Sequence, residues 1–232
     1  MASVLVTGSN RGLGLEWVRQ YADEGWRVYA TCRRPLEADD LQALASRHAK
    51  VSLHRLDVTR PEEINAMAVD LMKTPIDLVV SNAGVYLEKF WDVGLGRIRY
   101  EDWAYTFEVN TFGSVRMMEA FKEHVARSNR RLFVIISTHM ASMTDIQSPG
   151  AYYYRSTKAA LNAAVVGMAH ELKPQGIGVL LLHPGWVNTR MGGDGTSLMP
   201  PESVKGMRRL VDRFNLKDSG RFIRYDGVEM PW

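Results

Sequence analysis

Short apolar runs and longer stretches of helical periodicity alternate along the whole chain. The runs Val4–Thr7, Arg27–Cys32, Val51–Leu56, Asp77–Ser81, Leu132–Ser137, Gly178–His183 and a brief Phe222–Arg224 have the length and composition of buried strands. The segments between them predict helices from Gly12, from Glu37, from Pro61, from Tyr100 to about Ser128, from Tyr152 to Lys173 and from Pro201. Thr59-Arg60-Pro61-Glu62-Glu63 reads as a helix start, with a capping hydroxyl, an early proline and acids in the first turn. Such alternation predicts a single α/β domain over residues 1–232, a doubly wound parallel sheet with helices on both faces. Right-handed crossovers then place a ligand outside the carboxyl ends of the strands. Tyr86–Arg99 and Arg190–Pro201 follow neither period and read as surface loops.

Composition narrows the function classes. The chain has 232 residues, 46% hydrophobic and 24% charged, enough for one sizeable core. Its net charge of +3 is small, and Arg33-Arg34 and Arg130-Arg131 make no nucleic-acid stripe. The lone Cys32 excludes an internal disulfide and suits a reducing compartment. The six histidines have no metal-site spacing, so no metal is expected. No basic leader precedes the first strand and no apolar stretch reaches membrane-spanning length. The expectation is a soluble cytoplasmic protein without nucleic-acid or membrane partners.

Two motifs carry chemistry. The first strand runs into Gly8-Ser9-Asn10-Arg11-Gly12-Leu13-Gly14 and then a helix, the context of a dinucleotide-binding Rossmann turn. Gly8 allows the tight turn, Gly12 lets backbone approach a phosphate, and Gly14 lets helix pack closely on strand. The helix start offers free N–H groups to a pyrophosphate. The spacing is G-x-x-x-G-x-G, not G-x-G-x-x-G, and an ordinary glycine-rich turn shares these features. The second motif is Tyr154 and Lys158, four apart at a helix start, so that both side chains share a face. A nearby ammonium lowers a phenol's pKa and equips it for proton transfer. A snorkelling lysine on an amphipathic helix gives the same spacing.

Cofactor choice is read at the end of the second strand, Thr31-Cys32-Arg33-Arg34, where an acid would accept from a ribose 2′-hydroxyl. None is there. Arg33 and Arg11 would instead pair with a 2′-phosphate, which favours NADP(H) over NAD(H).

With Asn82-Ala83-Gly84, Asn110 and Pro184-Gly185 added in order, the chain resembles the short-chain dehydrogenase/reductase family over essentially its whole length. Within it the chain looks most like the carbonyl-reductase branch that includes sniffer and the bacterial C-factor proteins. The features of that branch are Asn10-Arg11-Gly12-Leu13-Gly14, Tyr152 to Ala164, His183-Pro184-Gly185-Trp186-Val187 with Met191-Gly192-Gly193, and the ending Tyr225-Asp226-Gly227 before Pro231-Trp232.

The resemblance implies an oxidoreductase in which Tyr154 donates a proton to a carbonyl oxygen. Lys158 would lower its pKa and hold the nicotinamide ribose. Thr138 of Ile136-Ser137-Thr138 takes the place of the usual serine, with Ser137 and Ser142 as fallbacks. Asp57 and the Val58 backbone would meet the adenine. Asn82, Ala83 and Gly84 would run beside the adenosine ribose, with Ser81 where the family often has asparagine. Pro184-Gly185 would turn over the cofactor, with Thr189 and the Val187 backbone at the carboxamide. Two readings fit Asn110: a buried or back-bonded amide, or a kinked backbone holding a relay water.

Tyr86, His139, Met140, Trp186 and Met191 would line the substrate pocket. With no paired arginines among them, they suit a small uncharged carbonyl compound: an aldehyde, ketone or quinone. A competing reading is a dinucleotide-binding signalling protein with incidental catalysis. Ala159, Ala160, Ala163, Ala164 and Gly167 give the Tyr152–Lys173 helix a small-residue face that suits a homodimer or homotetramer, unless it packs on the chain's own sheet.

Overall fold

The computed structural model describes residues 1–90 and 93–232; Trp91 and Asp92, within the loop expected over Tyr86–Arg99, lie outside the described residues. Seven strands form one sheet: β1 Ser3–Thr7, β2 Arg27–Cys32, β3 Val51–Arg55, β4 Leu78–Ser81, β5 Leu132–Ile136, β6 Gly178–His183 and β7 Phe222–Arg224. Their order is β3-β2-β1-β4-β5-β6-β7, and every neighbouring pair is parallel. The doubly wound fold read from the sequence is the one observed. The order reverses between β1 and β4, so the crevice for a ligand opens at their carboxyl ends.

The helices are α1 Gly12–Asp23, α2 Asp39–Arg47, α3 Pro61–Asp70, α4 Tyr100–Phe107, α5 Gly113–Ala126, α6 Tyr152–Leu172 and α7 Pro200–Arg213. Successive strand residues point to opposite faces. In β1, Val4 and Val6 therefore enter the core beneath α1, α2 and α7, while Leu5 enters the core beneath α3, α5 and α6. Leu132, Val134 and Ile136 against Phe133 and Ile135 repeat the split in β5. Burying each such side chain contributes about 1.5–3 kcal/mol. Both faces are covered, which is why the strands read as continuous apolar runs. Among the described residues, no helix is long and apolar enough to cross a membrane.

Three local expectations need correction. Thr59 caps nothing: its N–H and hydroxyl both donate to Asp57 Oδ1, at 3.0 and 2.8 Å, and Arg60 occupies the cap position of α3. The helix expected from Glu37 starts at Asp39, because Pro35 first opens a separate 3-10 turn over Pro35–Glu37. The long helix expected from Tyr100 is interrupted by a π segment, Glu108–Phe112, between α4 and α5. Asn110 sits at its centre.

Candidate active site

The glycine turn is braced from β4. Thr7 Oγ1 accepts the N–H groups of Asn82 and Ala83, both at 3.0 Å, and Asn82 Nδ2 donates to the carbonyls of Thr7 and Gly8 at 2.9 and 3.3 Å. The Asn82 side chain thus serves the turn itself. A Cβ on Gly14 would stand 2.1 Å from the Gly8 carbonyl oxygen, so helix meets strand there with no room for a methyl. Gly8 and Gly12 have φ of +69° and +56°, which favour glycine. Above Gly12 the nearest atom to a Cβ would be the Thr189 methyl at 3.8 Å, so its backbone stays approachable. No side chain caps α1, and the amides of its first turn face the same space. Leu13 packs into the core, while Asn10 and Arg11 are exposed.

Cations gather beside this turn. Arg11 is held below the usual guanidinium range by burial first, then by Arg190 and Arg33. Neither Arg11 nor Arg33 has a carboxylate partner among the described residues; Arg33 donates to the Tyr105 hydroxyl at 3.0 Å. Sequence reasoning missed Arg190 and Tyr105, because neither belongs to the glycine turn or the end of β2. Asp57 is partly committed, its Oδ1 taken by Thr59. Val58 is buried against Gly113, where a Cβ would come within 2.9 Å of it.

At the other end of the crevice, α6 presents Tyr154 and Lys158. Their polar ends diverge. Lys158 Nζ donates to the Ile136 carbonyl at 2.8 Å, whereas the Tyr154 hydroxyl meets Met191 Sδ at 3.8 Å. Burial lowers Lys158, only 4% exposed, to a pKa of about 8. Tyr154 is raised far above the ordinary tyrosine value: burial dominates, the Thr138 hydroxyl opposes it, and Tyr86 and Glu88 add to it. Lys158 takes no part in that shift, because its ammonium is turned toward β5. The Tyr86 ring stacks on Tyr154 with centroids 4.6 Å apart.

Thr138, buried at the end of β5, accepts from the Met140 N–H at 3.2 Å. Both fallback serines are engaged elsewhere, Ser137 with Asn162 Oδ1 at 2.6 Å and Ser142 with the Trp232 carbonyl at 3.2 Å. Asn110 is 0% exposed and its amide is fully used. Its Oδ1 accepts from Val85 N at 2.8 Å, and its Nδ2 donates to Val85 O at 2.9 Å and Thr157 Oγ1 at 3.2 Å. Of the two readings of Asn110, the buried amide describes the side chain, while the π segment widens the backbone as the kink would require. Gly84 leaves room for both neighbours, since a Cβ there would lie 3.3 Å from Asn110 Oδ1 and 3.8 Å from Lys158 Nζ.

The loop after β6 closes the site. Gly185, at φ +82°, turns beneath Leu198 and Tyr225, and its N–H donates to His183 Nδ1 at 3.3 Å beside Pro184. Val187 is buried, and Thr189 Oγ1 accepts from Gly192 N at 3.0 Å. Lys89 Nζ donates to the Met191 carbonyl at 2.6 Å and so ties this loop to the segment after β4. Of the expected pocket residues, Tyr86 and Met191 touch Tyr154. His139 lies beside His183, with ring centroids 5.1 Å apart. Trp186 is 59% exposed, with its indole N–H on the Gly192 carbonyl at 2.9 Å, and Met140 is half-buried.

A phosphate-bearing dinucleotide fits these residues. Among the described residues the glycine backbone is open, the first turn of α1 has no side-chain cap, and Arg11 and Arg33 have no carboxylate partner.

Comparison with known proteins agrees with the geometry. The C-signal protein of Myxococcus xanthus is 40% identical over 169 residues, 73% of this chain and 100% of that protein. The NADPH-bound carbonyl reductase from chicken fatty liver superposes with a TM-score of 0.92 at 31% identity, covering 100% of this chain and 99% of that one. The Drosophila melanogaster carbonyl reductase Sniffer gives a TM-score of 0.92 at 28% identity, covering 100% of both. A profile of the short chain dehydrogenases matches residues 2–197, and by that match the chain belongs to the short chain dehydrogenase family.

Proposed function

We propose that this oxidoreductase uses NADPH to reduce an uncharged aldehyde, ketone or quinone to an alcohol. The observation that carries the reading is the partly buried Tyr154 phenol, held between the Tyr86 ring and Met191 within reach of Thr138. Arg11 and Arg33 would hold the 2′-phosphate, the first turn of α1 the pyrophosphate, and Thr189 and Val187 the carboxamide end. When bound, the cofactor supplies hydride to the carbonyl carbon. Tyr154 gives its hydroxyl proton to the carbonyl oxygen, so C=O becomes CH–OH. Thr138 donates to the same oxygen as charge develops. Lys158, on binding, would leave Ile136 for the ribose hydroxyls, and its charge would then favour the phenolate left behind. The π segment at Asn110 would let a water return the proton.

The apolar rim of Tyr86, Trp186 and Met191 supports an apolar substrate. A panel of aldehydes, ketones and quinones with NADPH tests the reading. Turnover of at least one class is expected, with Tyr154→Phe slower by at least ~10²-fold and cofactor affinity unchanged. Unaltered turnover in that variant would remove Tyr154 from the chemistry. The likeness to the protein named C-signal supports a second reading, dinucleotide binding in the service of signalling. NADPH binding without turnover across the panel would favour it.

We also propose a dimer across α6. Ala163, Ala164 and Gly167 are exposed, and nothing lies within 4 Å of a Cβ at Gly167, so this face does not pack on the chain's own sheet. Sedimentation equilibrium is expected to give at least twice 26.2 kDa, and Ala163→Glu to return it to a single chain.

A further inference from the structure

A carboxylate is buried against the backbone of Tyr154. Glu88, in the 3-10 turn Leu87–Phe90, is 6% exposed. Its Oε1 accepts the Tyr154 N–H at 2.8 Å, and its equally buried Oε2 has no hydrogen-bond partner among the described residues. Tyr154 lies in the first turn of α6, where N–H groups have no acceptor within the helix. The residue ahead of the helix, Ala151, is left-handed at φ 54° and has no side chain that could cap. Glu88 supplies that acceptor from a distant segment, and the positive end of α6 favours its charge. Two residues before it in the chain, Tyr86 stacks on the Tyr154 ring, so one short segment grips Tyr154 by both ring and backbone.

We propose that Glu88 is a positioning residue for Tyr154, clamping the first turn of α6 by its backbone N–H and setting a negative charge two residues from the Tyr86 ring that stacks on it. This rests on the reading of Tyr154 as proton donor. A neighbouring anion disfavours the phenolate, so Glu88 works with burial to keep the proton on oxygen until a carbonyl takes it. The other groups acting on the two phenols are Thr138 after β5 and Arg155 on α6, with each phenol acting on the other. Thr138 opposes Glu88 at Tyr154, and Arg155 opposes it at Tyr86.

Glu88→Gln keeps an acceptor oxygen and removes the charge. Ionisation of Tyr154 is followed by phenolate absorbance, as the difference between each protein and its Tyr154→Phe counterpart. The midpoint in Glu88→Gln is expected to fall on the order of one pH unit. The alkaline loss of kcat/KM for carbonyl reduction should move down by the same interval. Glu88→Asp retains the charge but withdraws it by one methylene, and its midpoint is expected between the other two. A midpoint at the wild-type position in both variants overturns the proposal, as does that result in Glu88→Asp alone if Glu88→Gln does not fold. The absorbance readout needs no turnover, so absence of reductase activity would count against the functional reading and leave this test intact.

Discussion

The glycine turn after β1 and the first turn of α6 stand at the same edge of the sheet but are held by different forces. The glycine turn is backbone against backbone: Gly14 meets the Gly8 carbonyl with no space for a methyl, and Asn82 ties the strand ends together. The start of α6 is held by buried polar side chains, Glu88 on Tyr154 N, Asn110 on Thr157 and Lys158 on Ile136. Steric fit governs the first region and electrostatics the second. Substitutions in the first should therefore damage fold and binding together. Substitutions in the second should alter charge and rate while leaving the fold standing.

The largest effect is expected at Gly14. Gly14→Ala forces backbone apart, and overpacking of this kind costs about 1–3 kcal/mol or more. The melting temperature should drop by at least a few degrees and calorimetry should detect no NADPH binding. Gly12→Ala is the matched control. Its Cβ would meet only the Thr189 side chain at ordinary contact distance, so its loss of folding stability is confined to backbone strain, about 1 kcal/mol. Equal losses at the two positions would break the steric side of the comparison.

Lys158 tests the electrostatic side through pH. Its folded pKa of about 8 lies below the ordinary lysine value of 10.5. Between those values the unfolded chain binds the proton and the folded chain does not, so this group's contribution to stability rises with pH across the window. Below pH 8 burial of the charge costs about 3 kcal/mol at most. Lys158→Met should therefore be more stable than wild type at pH 7 in urea unfolding, and that advantage should disappear by pH 10.5. Loss of the bond to Ile136 offsets part of the gain. An advantage that does not change with pH would sink the assignment.

The effect confined to cofactor affinity, with no loss of fold, belongs to the exposed arginines. Charge-assisted hydrogen bonds are worth about 1.5–3 kcal/mol. Replacing Arg11 and Arg33 together by Ala should weaken NADPH by at least ~10-fold in calorimetry and barely change NADH. Equal NADH and NADPH affinities in the unaltered protein would remove the basis for NADPH preference.

The sheet was legible because its information is local. Continuous apolar strands such as Leu132–Ile136, the period of α6, and Gly8, Gly12 and Gly14 each state their geometry within a few residues of themselves. The misread boundaries turned on competition between neighbours: Thr59 had Asp57 closer than its helix, and Pro35 opened its own turn. For the candidate site, sequence supplied Tyr154 and Lys158 as a pair but not the burial that raises the phenol here or the Ile136 carbonyl that holds the ammonium. Spacing along a helix says nothing about which carbonyl an ammonium reaches or how much water a phenol keeps. Glu88 and Arg190 left no local signal. Each acquires its neighbours only when the segments after β4 and β6 fold back over α6 and the glycine turn. Periodicity and backbone demands are written in consecutive residues, so the sequence alone determined the architecture and the glycine turn. Burial and long-range Coulomb interactions depend on distances that only the packed chain defines, so tertiary structure alone decided the direction of the Tyr154 shift and the contacts around it.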